Sequence, residues 1–190
     1  MILKDKKILV MGIRNKWSIA WGVAKQAYEH GAQLIFTYSS MEKADKIEEL
    51  IAEIPGSKAY VCDVQNDEDI SNCLENIKKD NGKIDGILHS IAHANTEDLR
   101  NDFILTSREG FAHAGDISAY SLIAVSRIAV EKEMLNEGAS GNTKKQIDNV
   151  IGELALRKYT NKENVLSLAN TMYIKNEYEP YIKTSYRDTL

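Results

Sequence analysis

The chain has 190 residues, enough to bury the core of one domain or of one and a half, and its 43% hydrophobic and 27% charged residues are ordinary for a globular protein. A formal net charge of −4 argues against non-specific nucleic-acid binding, which needs a basic footprint. No run reaches the ~18 consecutive apolar residues of a membrane span, and residues 1 to 10 pass from charges straight into an apolar strand rather than through a secretory leader.

Residues 6 to 22, KKILVMGIRNKWSIAWG, predict a short buried strand at Ile8, Leu9 and Val10, a sharp turn at Gly12, and a helix whose first turn carries Ser18 and Ala20. Such a helix points unpaired N–H groups at an anion, Ser18 adds a hydroxyl donor, and the small Ala20 lets helix and strand approach closely. The stretch therefore reads as a dinucleotide phosphate cradle. The usual glycine fingerprint is absent, since the next glycine is Gly22, so ordinary loop geometry is the competing reading.

The helix, over 17 to 30, places Ile19, Val23, Ala24 and Ala27 at helical spacing and stops at Gly31. LIFTYS at 34 to 39 predicts a strand covered on both faces. The segment 41 to 54 follows with Ala44, Ile47, Leu50, Ile51 and Ile54 on one stripe, closed by Pro55 and Gly56. KAYVCDV at 58 to 64 is a third strand, Asp67 to Lys79 a third helix, and IDGILHSIAHA at 84 to 94 a fourth strand.

This alternation implies βαβ crossovers and a parallel sheet, with ligands beyond the carboxyl ends of the strands. The strand-end residues are Gly12, Ser39 with Ser40, Asp63 with Val64, and Ser90 to Ala94. From Thr106 to about Leu135 a long helix is expected, with Thr106 and Glu109 spaced as a capping box and Phe111, Ala114, Ile117, Leu122, Val125, Ile128 and Ala129 on its apolar face. That face suits the sheet or the equivalent helix of a second copy, hence a homo-oligomer. Cys62 and Cys73 lack metal-like spacing and read as packing residues of a reducing, cytoplasmic protein. His89 and His93 share a face only on a helix; on a strand they lie ~13 Å apart, which argues against a metal pair.

Beyond about residue 140 the rhythm changes, and no fifth strand with its crossover is evident where an alternating sheet would put one. Residues 1 to about 140 resemble the bacterial enoyl-acyl-carrier-protein reductases, a branch of the short-chain dehydrogenase/reductase superfamily. The resemblance rests on MGIRNKWSIAWGVA, AQLIFTYS, CDV, GKIDGILHSIAHANTEDLR and SREGFAHAGDISAYSL, in that order. It implies a Rossmann-like α/β fold with a doubly wound parallel sheet, C-terminally incomplete, and a divergent tail over 141–190. The implied reaction is NAD(P)H-dependent reduction of a trans-2-enoyl thioester on acyl carrier protein in fatty-acid biosynthesis, with hydride passing to C3 and the resulting enolate then protonated.

Carried over by position, Gly12, Ser18 and Ile19 look like the pyrophosphate loop, and Ser39 falls where the family meets the adenosine ribose. Asp63 and Val64 look like the adenine clamp, although an Asp after a strand can also simply cap the loop into the next helix. Ser90, Ile91 and Ala92 fall under the nicotinamide and Ala94 on the acyl-substrate wall. His93 departs from the family's usual phenylalanine beside the substrate entrance. No arginine follows the second strand to meet a 2′-phosphate, which favours NAD over NADP; Lys43 is near and no acid occupies the strand end, so NADP stays open.

The family's chemistry also rests on a tyrosine and a lysine seven residues later. None of the tyrosines at 159, 173, 178, 181 and 186 has that lysine; the positions hold Leu166, Pro180, Ser185 and Asp188, and the last runs past Leu190. The four-residue spacing of the wider superfamily fails as well. No catalytic residue is therefore assigned, and a non-catalytic dinucleotide-binding or interaction module is the alternative. Residues 138 to 190 resemble a serpin segment through GASGNTKKQIDNVIG and NVLSLANTMYIKNEYEPYIKTSYRD, without a reactive loop, which suggests a chain of chimeric origin.

Overall fold

The computed structural model describes residues 2–136. Four strands, β1 (Lys7–Met11), β2 (Gln33–Tyr38), β3 (Lys58–Val61) and β4 (Gly86–His89), form one parallel sheet in the order β3-β2-β1-β4. The helices α1 (Ile19–Glu29), α2 (Ala44–Ile51) and α3 (Asp67–Asn81) are the crossovers between them. The chain winds outward from β1 to β3 and then returns to place β4 on the other side of β1. This reversal leaves a crevice beyond the carboxyl ends of β1 and β4, where sheets of this class receive ligands.

The two-residue period of a strand explains both layers of the core. Ile8 and Val10 of β1, with Leu34 and Phe36 of β2, face one side and pack with Ala20, Trp21, Ala24 and Ala27 of α1 and Ile47 and Ile51 of α2. Leu9, Met11 and Ile35 face the other and pack with Ile70, Leu74 and Ile77 of α3 and with Val125, Ile128 and Ala129 of α6 (Ser121–Glu131). Trp21 lies tilted against Phe36 at 6.2 Å between ring centroids, and each such fully buried side chain contributes about 1.5–3 kcal/mol of apolar transfer energy. α1 keeps its predicted span and buries Ala24 and Ala27 of its predicted stripe, but Ile19 is 68% exposed, because the helix turns its small residues and Trp21 to the sheet.

The expected long helix over 106–135 is three pieces. After α4 (Thr96–Arg100) and a short turn at Phe103–Leu105, α5 (Arg108–Gly115) gives way to a π-helical stretch, Asp116–Tyr120, and then to α6. The cap is Ser107, whose Oγ accepts from the Gly110 N–H at 2.9 Å; Thr106 instead closes the preceding turn. A methyl at Gly110 would run into the Asp98 carboxylate, which accepts from the Ser107 N–H and ties the segment after β4 to the start of α5. Of the predicted apolar face, Ile117, Val125, Ile128 and Ala129 are buried, whereas Phe111 and Leu122 face outward.

α6 ends at Glu131, and the chain returns to the sheet within the described residues. The Ile84 N–H donates to the Met134 carbonyl and the Asn136 N–H to the Ile84 carbonyl, both at 2.9 Å, so Leu135 forms a parallel rung beside Ile84. This single isolated rung is all the pairing beyond β4 among the described residues, and the sheet there keeps four strands, as expected of a C-terminally incomplete fold. The serpin-like segment and the tail over 141–190 lie outside the described residues. Cys62 and Cys73 are free and buried in the α3 side of the core, where contact with Cys62 and burial push the Cys73 thiol well above its ordinary value. Among the described residues no helix is long and apolar enough to cross a membrane.

Candidate dinucleotide site

Because the four strands are parallel, every strand-end residue singled out from sequence lies at one end of the sheet. Gly12 is the pivot. It follows Met11, whose neighbours in register are Thr37 of β2 and His89 of β4, and it has φ +86°, a conformation that side-chain-bearing residues rarely adopt. A Cβ on Gly12 would lie 2.7 Å from the Ser90 carbonyl carbon, closer still to its oxygen, and 3.0 Å from Ile91 Cγ1. The Ser90 N–H donates to the Met11 carbonyl at 3.2 Å, so the chains leaving β1 and β4 run against one another. Gly12, Ser90 and Ile91 are thereby brought together.

Beyond Gly12 the turn is organised by Asn15, which the sequence reading passed over. Its Oδ1 accepts from the Trp17 N–H at 2.9 Å, and its carbonyl accepts from the Ser18 N–H at 3.1 Å and the Ser18 hydroxyl at 2.5 Å. An Asx turn of this kind is the available sequence signal for that role. Ser18 stands at the N-cap of α1 without making a side-chain cap bond. Its carbonyl accepts from the Trp21 and Gly22 N–H groups, while those of Ile19 and Ala20 have no acceptor among the described residues. The start of an eleven-residue helix thus offers free amides beside Gly12, as an anion requires. Ile19 joins the site through its backbone, since its side chain points to solvent.

Ser39 is exposed at the end of β2, where its Oγ accepts from Lys43 Nζ at 2.7 Å. After β3, Asp63 is exposed and its Oδ1 accepts from the Gln65 N–H at 3.0 Å. It therefore shapes the turn, but the helix cap is Asn66, whose Oδ1 accepts from the Glu68 and Asp69 N–H groups. The Val64 side chain is buried in the α3 side of the core.

After β4, Ala92 is exposed and Ala94 half-buried. The loop is held by Ser118 of the π-helical stretch, which accepts from the His93 N–H at 3.1 Å and donates to the His93 carbonyl at 3.2 Å. His89 and His93 turn to different partners. His89 Nε2 lies 2.7 Å from Ser121 Oγ, and burial holds its imidazole below the usual value; the His93 ring meets that of His113 edge to face at 5.4 Å.

This geometry has known relatives. The family described as Enoyl-(Acyl carrier protein) reductase matches residues 12–152, past the composition change near 140. The enoyl-acyl-carrier-protein reductase (NADH) FabI of Bacillus cereus is 44% identical over 141 residues, covering 73% of this chain and 54% of that one. The enzyme of Staphylococcus aureus, named for NADPH, is 44% identical over 169 residues, covering 88% of this chain and 62% of that one. The solved B. cereus structure, a complex with NADP+ and indole naphthyridinone, shares 44% identity and a TM-score of 0.66 over 70% of this chain and 52% of that one. The reductase of Aquifex aeolicus gives 39% and 0.66 over 72% and 53%. The chain spans about half to three-fifths of the length of these relatives. With the switch-point cradle, the ordered strand-end motifs and these matches in agreement, the chain belongs to the enoyl-acyl-carrier-protein reductase family of the short-chain dehydrogenase/reductase superfamily.

Proposed function

We propose that residues 1–140 are the cofactor half of an enoyl-thioester reductase, binding NADH or NADPH across the carboxyl ends of β1 and β4. The observation that carries this is the Gly12 cradle, where a positive φ, a Cβ position closed by Ser90 and free α1 amides meet at the switch point. Bound there, the cofactor would supply a hydride to an enoyl thioester on acyl carrier protein. The amides of Ile19 and Ala20 would hold the pyrophosphate, Ser39 the adenosine ribose, and Asp63 with the Val64 backbone the adenine. Ser90, Ile91 and Ala92 would lie under the nicotinamide, and Ala94 would border the acyl group. The two buried free cysteines fit a reducing, cytoplasmic setting.

A second reading is favoured by one observation: the tyrosines at 159, 173, 178 and 181 have Leu166, Pro180, Ser185 and Asp188, and no lysine, seven residues on. Without those donors an anionic transition state goes unsupported, and the chain binds the cofactor without turning over. Titrating NADH and NADPH against the full chain, and then following their absorbance with a crotonyl thioester, tests both readings. The expected result is saturable binding with no thioester-dependent oxidation. Steady oxidation would overturn the non-catalytic reading, and the absence of any binding would sink both.

The outward apolar residues of α5 and α6, Phe111, Leu122, Ile123 and Val130, support pairing of two copies through these helices. Sedimentation velocity should then show a dimer or larger species at micromolar concentration. A strictly monomeric chain would refute the pairing.

A further inference from the structure

We propose that Ser118 of the π-helical stretch is a positioning residue for the nicotinamide half of the cofactor: by holding both backbone groups of His93, it fixes the far end of the segment on which the nicotinamide rests. The proposal rests on reading this end of the sheet as a dinucleotide site.

β4 ends at His89, and Ser90 to Asn95 have no regular secondary structure before α4 begins at Thr96. Such a segment takes its position from bonds to other elements. At its near end the Ser90 N–H donates to the Met11 carbonyl at 3.2 Å, and Ile91 packs against the α3 side of the core. At its far end the His93 N–H donates to Ser118 Oγ at 3.1 Å, and the same hydroxyl donates to the His93 carbonyl at 3.2 Å. A hydroxyl has one proton to give and lone pairs to accept with, so Ser118 serves both groups of this residue as a neighbouring strand would. Between the two anchors lie Ser90, Ile91 and Ala92, the residues assigned beneath the nicotinamide.

An anchor of this kind works only if it is itself fixed. Ser121, the residue after the stretch, is fully buried; its Oγ donates to the Ile117 carbonyl at 2.7 Å and lies 2.7 Å from His89 Nε2. His89 pairs in register with Met11, so the stretch is tied to the sheet at the strand end that the crevice adjoins. The His93 ring adds a third contact, meeting His113 of α5 edge to face at 5.4 Å. π turns within helices are rare and concentrate at functional sites, and this one carries the serine that reaches the loop. Hydride transfer is sensitive to misplacement of about 1 Å, which gives the far anchor of the nicotinamide segment its use.

The test measures the affinities of NADH and of 5′-ADP, which lacks the nicotinamide riboside, for the full chain and for S118A, S118V and S118T. Ser118 is half-buried, and valine and threonine share one shape, so the last two variants separate the hydroxyl from the fold. Loss of both bonds predicts NADH binding weakened about tenfold in S118A and S118V, with ADP within about twofold of the wild type. S118T should bind both ligands within about threefold of the wild type. Equal weakening of NADH and ADP, unchanged NADH affinity in S118A and S118V, or an S118T as weak as S118V would overturn the assignment while leaving the cofactor site in place. A wild type that binds NADH no better than ADP would overturn it too. Failure of the wild type to bind either ligand would overturn the dinucleotide site and this assignment with it.

Discussion

Gly12→Ala is expected to abolish saturable NAD(P)H binding and to lower the stability of the sheet domain by about 3 kcal/mol, the sum of a strained backbone and an overpacked contact. Gly12 sits at φ +86°, where alanine is strained whatever the surrounding space. Its added methyl would also overlap the Ser90 backbone carbonyl, and a carbonyl in a strand exit cannot rotate away as a side chain can. Relief would require the β1 and β4 exits to separate, which moves the α1 amides from the position where an anion would sit. Gly22 is the control on the same motif. It lies within α1, and nothing stands within 4 Å of a Cβ added there. Gly22→Ala should therefore stabilise the domain by about 0.5–1 kcal/mol through helix propensity and leave binding unchanged. Urea unfolding with parallel NADH titrations measures both, and equal effects of the two substitutions would remove the special role given to Gly12.

The contrast between these glycines shows how much of the site was legible in the sequence. The order of strands and helices is written in alternation: Ile8 and Val10 against Leu9 and Met11 carry both faces of β1, and the helical stripe of α2 carries its burial. The crevice follows from that order alone. What could not be read depends on rotation and on partners far away in sequence. Ile19 and Trp21 are both apolar in the first turn of α1, and only packing against Phe36 determines which of them turns inward. Thr106 and Ser107 both belong to the capping types; the turn at Phe103–Leu105 uses Thr106 and leaves Ser107 for the helix.

The π-helical stretch was invisible because α and π turns draw on the same residues. Its consequence is local to the site, since Ser118 fixes the His93 loop and Ser121 bonds His89. The pairing beyond β4 is a single rung at Leu135, too short to leave a periodic trace. Lys43 is visible in the sequence as a charge just past the second strand, but its placement on Ser39 depends on a turn that composition does not reveal.

Asp85→Ala is expected to cost about 2–3 kcal/mol while leaving cofactor affinity unchanged, because Asp85 lies at the amino end of the sheet, opposite the crevice. Asp85 is buried; its Oδ2 accepts from the Lys7 N–H at 2.9 Å, its Oδ1 from Lys6 Nζ at 3.1 Å, and its own N–H donates to the Lys7 carbonyl at 2.8 Å. The first residue of β1 and the approach to β4 are thus held together by one carboxylate, and alanine would leave the Lys7 N–H without an acceptor. Burial alone would raise the Asp85 carboxyl, but the Lys7 N–H, the Lys6 ammonium and the Asn136 side chain outweigh it and hold it below the usual carboxylate value. A carboxyl depressed in the folded state adds stability that is complete above the unfolded value of about 4 and is lost as pH falls through the folded one. The wild type should therefore lose stability faster than Asp85→Ala as pH falls below about 4, and the gap between them should close toward strong acid. Denaturant unfolding of both proteins from neutral pH down to acid measures that gap. A gap that stays constant with pH would show that Asp85 acts through its shape and not through its charge.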